Sequence, residues 1–248
     1  MKVIEYGVNN SETIMMLHGG GLSWWNFRDE AELLQEKYHI VLPVIDGHAE
    51  SGAGFVSIES NADSLIEYIK EHCNGRIKAL CGLSLGAQVV VEMISKDNDI
   101  CEFAMIESVS LILSKFTEKL IKPAFSMSYS LISKKWFSKL QCKSLHIKDS
   151  LYEDYYRDTC LVSKENMISF LKANTRYMLK DSFSNTNAKI RVIVGEKEQK
   201  SMIQSAKLLS ESTEKFVLEI KDGLYHGEFS LNQPQEYVKE LIMMIKGE

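Results

Sequence analysis

The sequence predicts an α/β fold with a mostly parallel central sheet that is flanked by helices on both faces. Short apolar runs of β character alternate with amphipathic helical segments in the first hundred residues and again after residue 187. Strands that alternate with helices of this length build parallel sheets, because each crossover helix packs back on the sheet. With 248 residues, of which 45% are hydrophobic and 25% charged, the whole chain (1–248) fits a single domain.

Hydrophobic periodicity places the individual elements. The predicted strands of the first half are Ile14–Leu17, His39–Ile45, Arg76–Cys81 and Ile100–Ile106. The predicted helices between them are residues 26–37, a helix that Ser57 caps, and Leu85–Lys96. The later elements are the strands Lys189–Val194 and Phe216–Ile220 and the helices Met202–Ser210 and Pro234–Lys246.

Residues 108–187, which we call the helical insertion, interrupt this alternation. They are rich in lysine, serine and aromatic residues and have helical periodicity without a convincing strand. Three or four helices are expected, over Lys119–Ile132, Tyr152–Thr159 and Lys164–Leu179. A helical block inside a resumed alternation predicts a lid over the sheet. Its side chains Phe125, Met127 and Trp136 are predicted to line a substrate pocket, the alternative being that they pack only within the insertion.

Composition narrows the class of protein. A net charge of −5 gives no basic surface for nucleic acid, so a small-molecule substrate is the expected partner. No signal peptide and no membrane-spanning run is visible, so no membrane insertion is expected. The five cysteines have neither disulfide nor metal-site spacing, which favours free thiols in a cytoplasmic protein.

The strongest chemical signal is Gly82-Leu83-Ser84-Leu85-Gly86, a G-x-S-x-G motif between a predicted strand and a predicted helix. A tight strand-to-helix turn exposes the serine hydroxyl, and glycines flank it because side chains there would clash. The N-terminus of the following helix directs its amides and its positive dipole end at a developing oxyanion. Ser84 is therefore the predicted nucleophile.

A glycine-rich loop, His18-Gly19-Gly20-Gly21, follows the first predicted strand. Backbone N–H groups of glycines can approach an oxyanion without hindrance. The loop does not fit a phosphate-binding motif, because no Gly-Lys-Ser/Thr follows and the glycines do not extend to G-x-G-x-x-G. His18 is expected to brace the loop rather than to catalyse.

The last two predicted strands each end in a candidate for a catalytic triad. Gly195-Glu196-Lys197-Glu198 follows one strand, and His226 lies in the loop after the other. The chain order is then serine, acid, histidine. A histidine must be neutral to accept the serine proton, and an acid must hold its other ring nitrogen in the donating form.

These motifs resemble the α/β-hydrolase superfamily, particularly its small capped esterases and C–C hydrolase-like members. The resemblance extends over residues 15–245 except the helical insertion, which matches only in position. It implies the α/β-hydrolase fold with a helical lid inserted after strand six of the family. It also implies oxyanion-hole amides at Gly20 and Leu85, with Gly21 as the less favoured alternative to Gly20. The family acid usually ends a G-x-x-D segment, which corresponds to Glu198, with glutamate in place of aspartate.

The acid has two alternatives, Glu196 in the same segment and Glu107, because some relatives place the acid one strand earlier. The resemblance implies a serine hydrolase that cleaves small carboxylic esters or thioesters through an acyl-enzyme, with no metal and no organic cofactor. A lyase or C–C hydrolase on the same scaffold is one alternative, because a fold does not fix a reaction. A ligand-binding receptor with slow turnover is another.

Overall fold

The computed structural model describes residues 1–213 and 215–247 and contains a seven-stranded sheet. The strand order is β1-β3-β2-β4-β5-β6-β7, and β1 alone runs antiparallel to its neighbour. The predicted sheet, mostly parallel and flanked by helices, is confirmed. The strands are β1 (Val3–Tyr6), β2 (Thr13–Leu17), β3 (His39–Pro43), β4 (Ile77–Leu83), β5 (Cys101–Glu107), β6 (Lys189–Gly195) and β7 (Phe216–Lys221).

Helices cover both faces of the sheet, as the buried side chains of β2 illustrate. Met15 and Leu17 belong to one hydrophobic core, with α2 (Ile58–His72), α3 (Leu85–Lys96) and α8 (Lys200–Ser210). Ile14 and Met16 belong to a second core, with α1 (Arg28–Leu34), α9 (Glu228–Asn232) and α10 (Pro234–Lys246). A strand buried on both faces is uniformly apolar, as expected in a parallel sheet. No helix of the described chain is both long and apolar enough to cross a membrane.

Strand β1 has no counterpart in the sequence prediction. It has only four residues, of which Glu5 is exposed, and it pairs with β3 at the edge of the sheet. A short edge strand buries little apolar surface, so its periodicity is weak.

The helical insertion lies between β5 and β6 and contains four α-helices. They are α4 (Lys115–Ser128), α5 (Lys135–Ser144), α6 (Tyr152–Leu161) and α7 (Lys164–Arg176). Helix α5 was not located from the sequence, and α7 ends three residues before its predicted end. Ser114 and Ser163 cap α4 and α7 by accepting hydrogen bonds from backbone N–H groups of the first turn.

Side-chain hydrogen bonds fix the insertion to the elements below it. Trp25 Nε1 donates to Asp158 Oδ2 at 2.9 Å, and both side chains are buried. On α3, Gln88 Nε2 donates to the carbonyl of Asn174 at 2.9 Å. Asn232 Nδ2 of α9 donates to the carbonyl of His146 at 2.7 Å. The insertion is thus tied to the sheet layer at several separate points.

The buried Trp25–Asp158 hydrogen bond supplies a stability prediction. We expect Asp158→Ala to lower the free energy of unfolding by about 1–3 kcal/mol, because it leaves a buried N–H donor without its acceptor. The control is Asp154→Ala, one turn earlier on α6, which removes partly exposed pairs with Arg28 and Arg157. That change should cost less than about 1 kcal/mol. Urea unfolding measures both, and equal losses would contradict the assignment.

Candidate active site

Ser84 occupies a strained turn between β4 and α3. Its backbone has φ +53° and ψ −108°, a conformation that few non-glycine residues adopt. The flanking glycines are dictated by packing: a Cβ at Gly86 would lie 2.2 Å from the carbonyl oxygen of Leu17. A Cβ at Gly82 would lie 2.7 Å from the backbone of Gly86 and Ala87. The turn can therefore form only with glycine on both sides, and it points Ser84 out at the carboxyl end of the sheet.

Ser84, His226 and Glu198 form a continuous hydrogen-bonded chain. His226 Nε2 lies 3.0 Å from Ser84 Oγ, and His226 Nδ1 lies 2.7 Å from Glu198 Oε2. The three residues follow β4, β7 and β6, whose carboxyl ends meet at one edge of the sheet. This is the geometry in which an imidazole can accept the serine proton while a carboxylate fixes its tautomer.

The carboxyl group of Glu198 is held by the protein as well as by His226. Its Oε1 accepts hydrogen bonds from Ser108 Oγ and from the N–H of Gly195, each at 2.7 Å. Burial raises the pKa of Glu198, but its hydrogen bond and charge interaction with His226 and the other two donors outweigh that effect and lower it. The group is therefore a carboxylate when it faces the imidazole.

Ser108 is a site residue that the sequence prediction missed. It follows β5 with a left-handed φ of +54°, and its hydroxyl also accepts a hydrogen bond from the N–H of Gly227 at 3.2 Å. It thus links the acid to the loop that carries His226. The signal in the sequence is a polar residue at the carboxyl end of β5, the strand that pairs with the one before Ser84. Many serines that have no role in a site occupy such a position.

The two alternative acids lie elsewhere. Glu196 Oε2 accepts a hydrogen bond from the N–H of Gly223 at 2.8 Å and so braces the loop before His226. The side chain of Glu107 is buried, and its Oε1 accepts from the N–H of Ser230 at 3.2 Å. Of the three glutamates, the one hydrogen-bonded to the imidazole is Glu198.

Two backbone N–H groups near Ser84 are the candidates for an oxyanion hole. The N–H groups of Gly20 and Leu85 have no hydrogen-bond acceptor among residues 1–213 and 215–247. The two residues lie together, since a Cβ at Gly20 would be 3.6 Å from Leu85 Cβ. By contrast, the N–H of Gly21 donates to His48 Nε2 at 3.0 Å. The geometry therefore favours Gly20 over Gly21.

Two buried histidines hold the glycine loop in this shape. His18 Nε2 accepts from the N–H of Ile45 at 3.1 Å, which leaves Nδ1 to donate to the carbonyl of Gly19 at 2.8 Å. Burial lowers the pKa of His48 to about 4. Burial and the charge interaction with the neighbouring His48 lower the pKa of His18 well below its usual range. Both rings are therefore neutral near pH 7, and His48 can accept from Gly21.

Comparison with known proteins rests on structure alone. No family model matches the sequence, and no curated protein is similar to it in sequence. An esterase from Thermogutta terrifontis is similar with a TM-score of 0.79 and 14% identity, over 99% of this chain and 93% of the esterase. A hydrolase from Pseudomonas aeruginosa is similar with a TM-score of 0.81 and 12% identity, over 99% of this chain and 94% of the hydrolase. An enol-lactonase from Burkholderia xenovorans is similar with a TM-score of 0.80 and 12% identity, over 99% of this chain and 96% of the enol-lactonase.

The chain has the α/β-hydrolase fold. The similarity covers nearly all of it, so the fold implied by the sequence motifs is confirmed. In this chain the helical insertion follows the fifth strand, β5, which occupies the position of strand six in the resemblance.

Two spaces lie at or near Ser84 in this α/β-hydrolase fold. A groove of about 490 Å³ is lined by Ser84, Glu198 and His226 and by polar residues such as Ser110 and Asn174. A cavity of about 300 Å³ is lined by Gly20 and Gly21 of the glycine loop and by residues of the helical insertion. Its apolar lining is Phe125, Ile132, Leu145, Met167, Phe170 and Leu171. Gly20 lines the cavity and lies against Leu85, the residue that follows Ser84 of the groove.

The structure corrects two of the three predicted pocket residues. Phe125 lines the cavity, but Met127 is 83% exposed, Trp136 is 63% exposed, and neither lines either space. On α4, residues two positions apart point about 200° apart around the helix axis, so Phe125 and Met127 cannot face the same cavity. Phe170 and Met167 of α7 lie in the cavity wall instead.

No group of three or more His, Cys, Asp or Glu side chains within residues 1–213 and 215–247 is arranged to hold a metal ion.

The buried carboxyl of Glu107 predicts a pH-dependent stability. Burial raises its pKa from 4.5 to about 7, so between these values the folded state keeps a proton that the unfolded chain has lost. The contribution of the Glu107 carboxyl group to the free energy of unfolding is therefore complete below about pH 4.5 and is lost as the pH rises to 7. We expect Glu107→Gln to be more stable than the parent at pH 8 by about 1–3 kcal/mol, and this advantage to shrink towards pH 5. Urea unfolding at both pH values measures it, and a pH-independent difference would contradict the prediction.

Proposed function

We propose that this protein is a serine hydrolase that cleaves small carboxylic esters or thioesters through an acyl-enzyme at Ser84. The observation that carries the proposal is the hydrogen-bonded chain from Ser84 through His226 to Glu198, beside two backbone N–H groups with no acceptor within the described chain. Similarity in fold to an esterase and to an enol-lactonase supports the same class of reaction. The substrate class rests on this chemistry and on the size of the site.

In the acylation step, Ser84 Oγ attacks the substrate carbonyl carbon while His226 Nε2 takes the hydroxyl proton. Glu198 holds the Nδ1 proton of His226 and stabilises the imidazolium. The N–H groups of Gly20 and Leu85 donate to the carbonyl oxygen, which becomes negative in the tetrahedral intermediate. The intermediate collapses as the bond to the leaving group breaks, and His226 Nε2 gives its proton to the leaving oxygen or sulfur.

Water completes the reaction. His226 takes a proton from a water molecule, whose oxygen attacks the acyl carbon, and then returns that proton to Ser84 Oγ as the acid product leaves. The His226 side chain is 42% exposed and lines the groove, so water has access to it. This access supports hydrolysis over the lyase and receptor alternatives.

We further propose that the helical insertion is a lid that selects the substrate. Its helices supply most of the wall of the 300 Å³ cavity, which lies beside the proposed oxyanion hole. Apolar walls of this kind exclude water and recognise the shape of a substrate. The insertion contributes no side chain to the Ser84–His226–Glu198 chain apart from Ser108 at its first position.

The nucleophile is tested by Ser84→Ala. We expect turnover of p-nitrophenyl butyrate to fall by a factor of order 10⁶, because the acyl-enzyme can no longer form. Covalent labelling by a fluorophosphonate should disappear as well. The matched control is Ser110→Ala, which changes another serine of the same groove. This variant should keep both ester turnover and fluorophosphonate labelling. Labelling of Ser84→Ala, detected by intact-mass spectrometry, would assign the nucleophile to another residue.

The acid is tested by three amide substitutions. We expect Glu198→Gln to lower kcat by about 10⁴-fold, because an amide no longer fixes the required tautomer of His226. Glu196→Gln and Glu107→Gln should each retain activity within about tenfold, since neither residue contacts the imidazole. Steady-state kinetics and circular dichroism on all three separate catalysis from folding. A crippled Glu107→Gln or Glu196→Gln beside an active Glu198→Gln would overturn the assignment.

A further inference from the structure

The net charge of −5 conceals a strongly basic segment. Residues 117–148, which form most of α4 and all of α5, contain seven lysines and one acidic residue, Glu118. Glu118 pairs with Arg176, outside the segment, and Lys148 pairs with Asp29. Six lysines with no ion pair in the described chain therefore give these two helices a local excess of positive charge. They are Lys119, Lys122, Lys134, Lys135, Lys139 and Lys143.

The solvent-facing side of α5 combines this charge with large apolar side chains. Trp136, Lys139, Leu140 and Lys143, which we call the outer face of α5, are three or four positions apart in turn and so lie on one side of the helix. Trp136 is 63% exposed, Leu140 is 59% exposed, and both lysines are exposed. The opposite side of the helix packs inward, where Cys142 is buried.

Helix α4 repeats this arrangement. Leu120 and Met127 are seven positions apart, so they lie on one side of the helix, and both are exposed. Lys119, next to Leu120, is exposed as well, whereas Phe125 faces the cavity. Large apolar side chains that are exposed in a group commonly mark an interaction site. The exposure of Met127, like that of Trp136, therefore has a physical reason if a partner covers these helices.

The mixture of side chains indicates which partner this is. Anionic lipid headgroups attract lysines, the tryptophan ring is favoured at the level of the headgroups, and leucine and methionine reach the boundary with the acyl chains. The phosphates of a nucleic acid would pair with the lysines but leave Leu140 and Met127 in water. A second copy docked by two-fold symmetry would bring lysine against lysine. The acids that follow the segment, Asp149 and Glu153, offset at most two of the six charges.

We propose that the outer face of α5, together with Leu120 and Met127 of α4, docks this protein on the surface of an anionic lipid membrane. The contact is peripheral: side chains enter the headgroup region, and no helix of the described chain is long and apolar enough to cross the bilayer. The inference goes beyond the proposed hydrolase function and does not depend on it. Leu145, at the end of α5, is 46% exposed and lines the cavity beside Gly20, so docking brings that cavity close to the lipid.

The test is co-sedimentation of the full chain with two kinds of vesicle, pure phosphatidylcholine and phosphatidylcholine with about 30% phosphatidylglycerol. We expect the partition coefficient to be at least about tenfold higher for the anionic vesicles. It should fall as the salt concentration rises from about 0.05 M to about 0.5 M, because salt screens the attraction between lysines and headgroups. Absence of binding, or equal binding to both kinds of vesicle, would overturn the proposal.

Variants assign the binding to the outer face of α5. The double variant Lys139→Glu, Lys143→Glu should lower the partition coefficient for anionic vesicles by about 30-fold or more, because two attracted charges become repelled ones. The double variant Trp136→Ser, Leu140→Ser should lower it by about tenfold or more, because less apolar surface enters the lipid. All four side chains are exposed, so circular dichroism should show a folded protein in both cases.

Matched controls make the same changes away from the insertion. Lys37→Glu, Lys70→Glu alters two exposed lysines that precede β3 and β4, at the amino ends of the strands. Leu33→Ser, Val56→Ser removes two exposed apolar side chains. Both control variants should bind anionic vesicles within about threefold of the parent. Controls that weaken binding as much as the α5 variants would overturn the proposal, because the attraction would then not belong to this face.

Two further measurements test the other partners and the link to catalysis. Sedimentation velocity without vesicles detects a second copy, and fluorescence polarisation with a labelled single-stranded RNA detects nucleic-acid binding. Either kind of binding, if the α5 variants abolish it while the parent ignores vesicles, would assign the face to that partner and overturn the proposal. Ser84→Ala should bind anionic vesicles as the parent does, because docking needs no turnover. Vesicle binding that disappears with Ser84 would contradict docking through α5.

Discussion

The close approach of α3 to β2 at Gly86 is the constraint from which the site follows. The Cα of Gly86 lies against the carbonyls of Leu17 and His18, so that helix α3 begins directly beside the start of the glycine loop. This contact brings Leu85 next to Gly20 and forces Ser84 into its left-handed turn. The serine hydroxyl of Ser84 and the N–H groups of Gly20 and Leu85 thereby come from segments more than sixty positions apart in the sequence.

The remaining groups depend on the parallel sheet, whose strand ends meet at one edge. Glu198 and His226 follow neighbouring strands, and Ser108 follows the strand next to them. Ser108 joins the two loops through one hydroxyl, which donates to Glu198 and accepts from Gly227. Such a brace holds the Glu198 carboxylate beside the His226 imidazole without adding charge.

The sequence predicts the sheet and the Ser84–His226 pair well because both are local patterns. Apolar runs, flanking glycines and chain order do not depend on how distant segments pack. The choice among the glutamates and the pocket needs tertiary information. Glu198 and Glu196 are two positions apart, and only the fold turns one of them to the imidazole. Similarly, Phe125 and Met127 are both apolar, but the rotation of α4 packs Phe125 partly buried against the core and leaves Met127 exposed.

The contacts of Asn232 affect how the helical insertion could be exchanged for another segment. Its side chain binds the backbone of residues 146 and 148, between α5 and α6, on both its donor and acceptor sides. It belongs to the short helix α9 that follows His226, and Glu228 of that helix accepts from the N–H of Tyr225. A chimaera that exchanged residues 108–187 alone would keep this joint only if the new segment placed its backbone N–H and carbonyl groups where those of Lys148 and His146 lie. The exchanged segment would have to match α9, Trp25 and Gln88 together, which are distant in the gene and lie under one insertion.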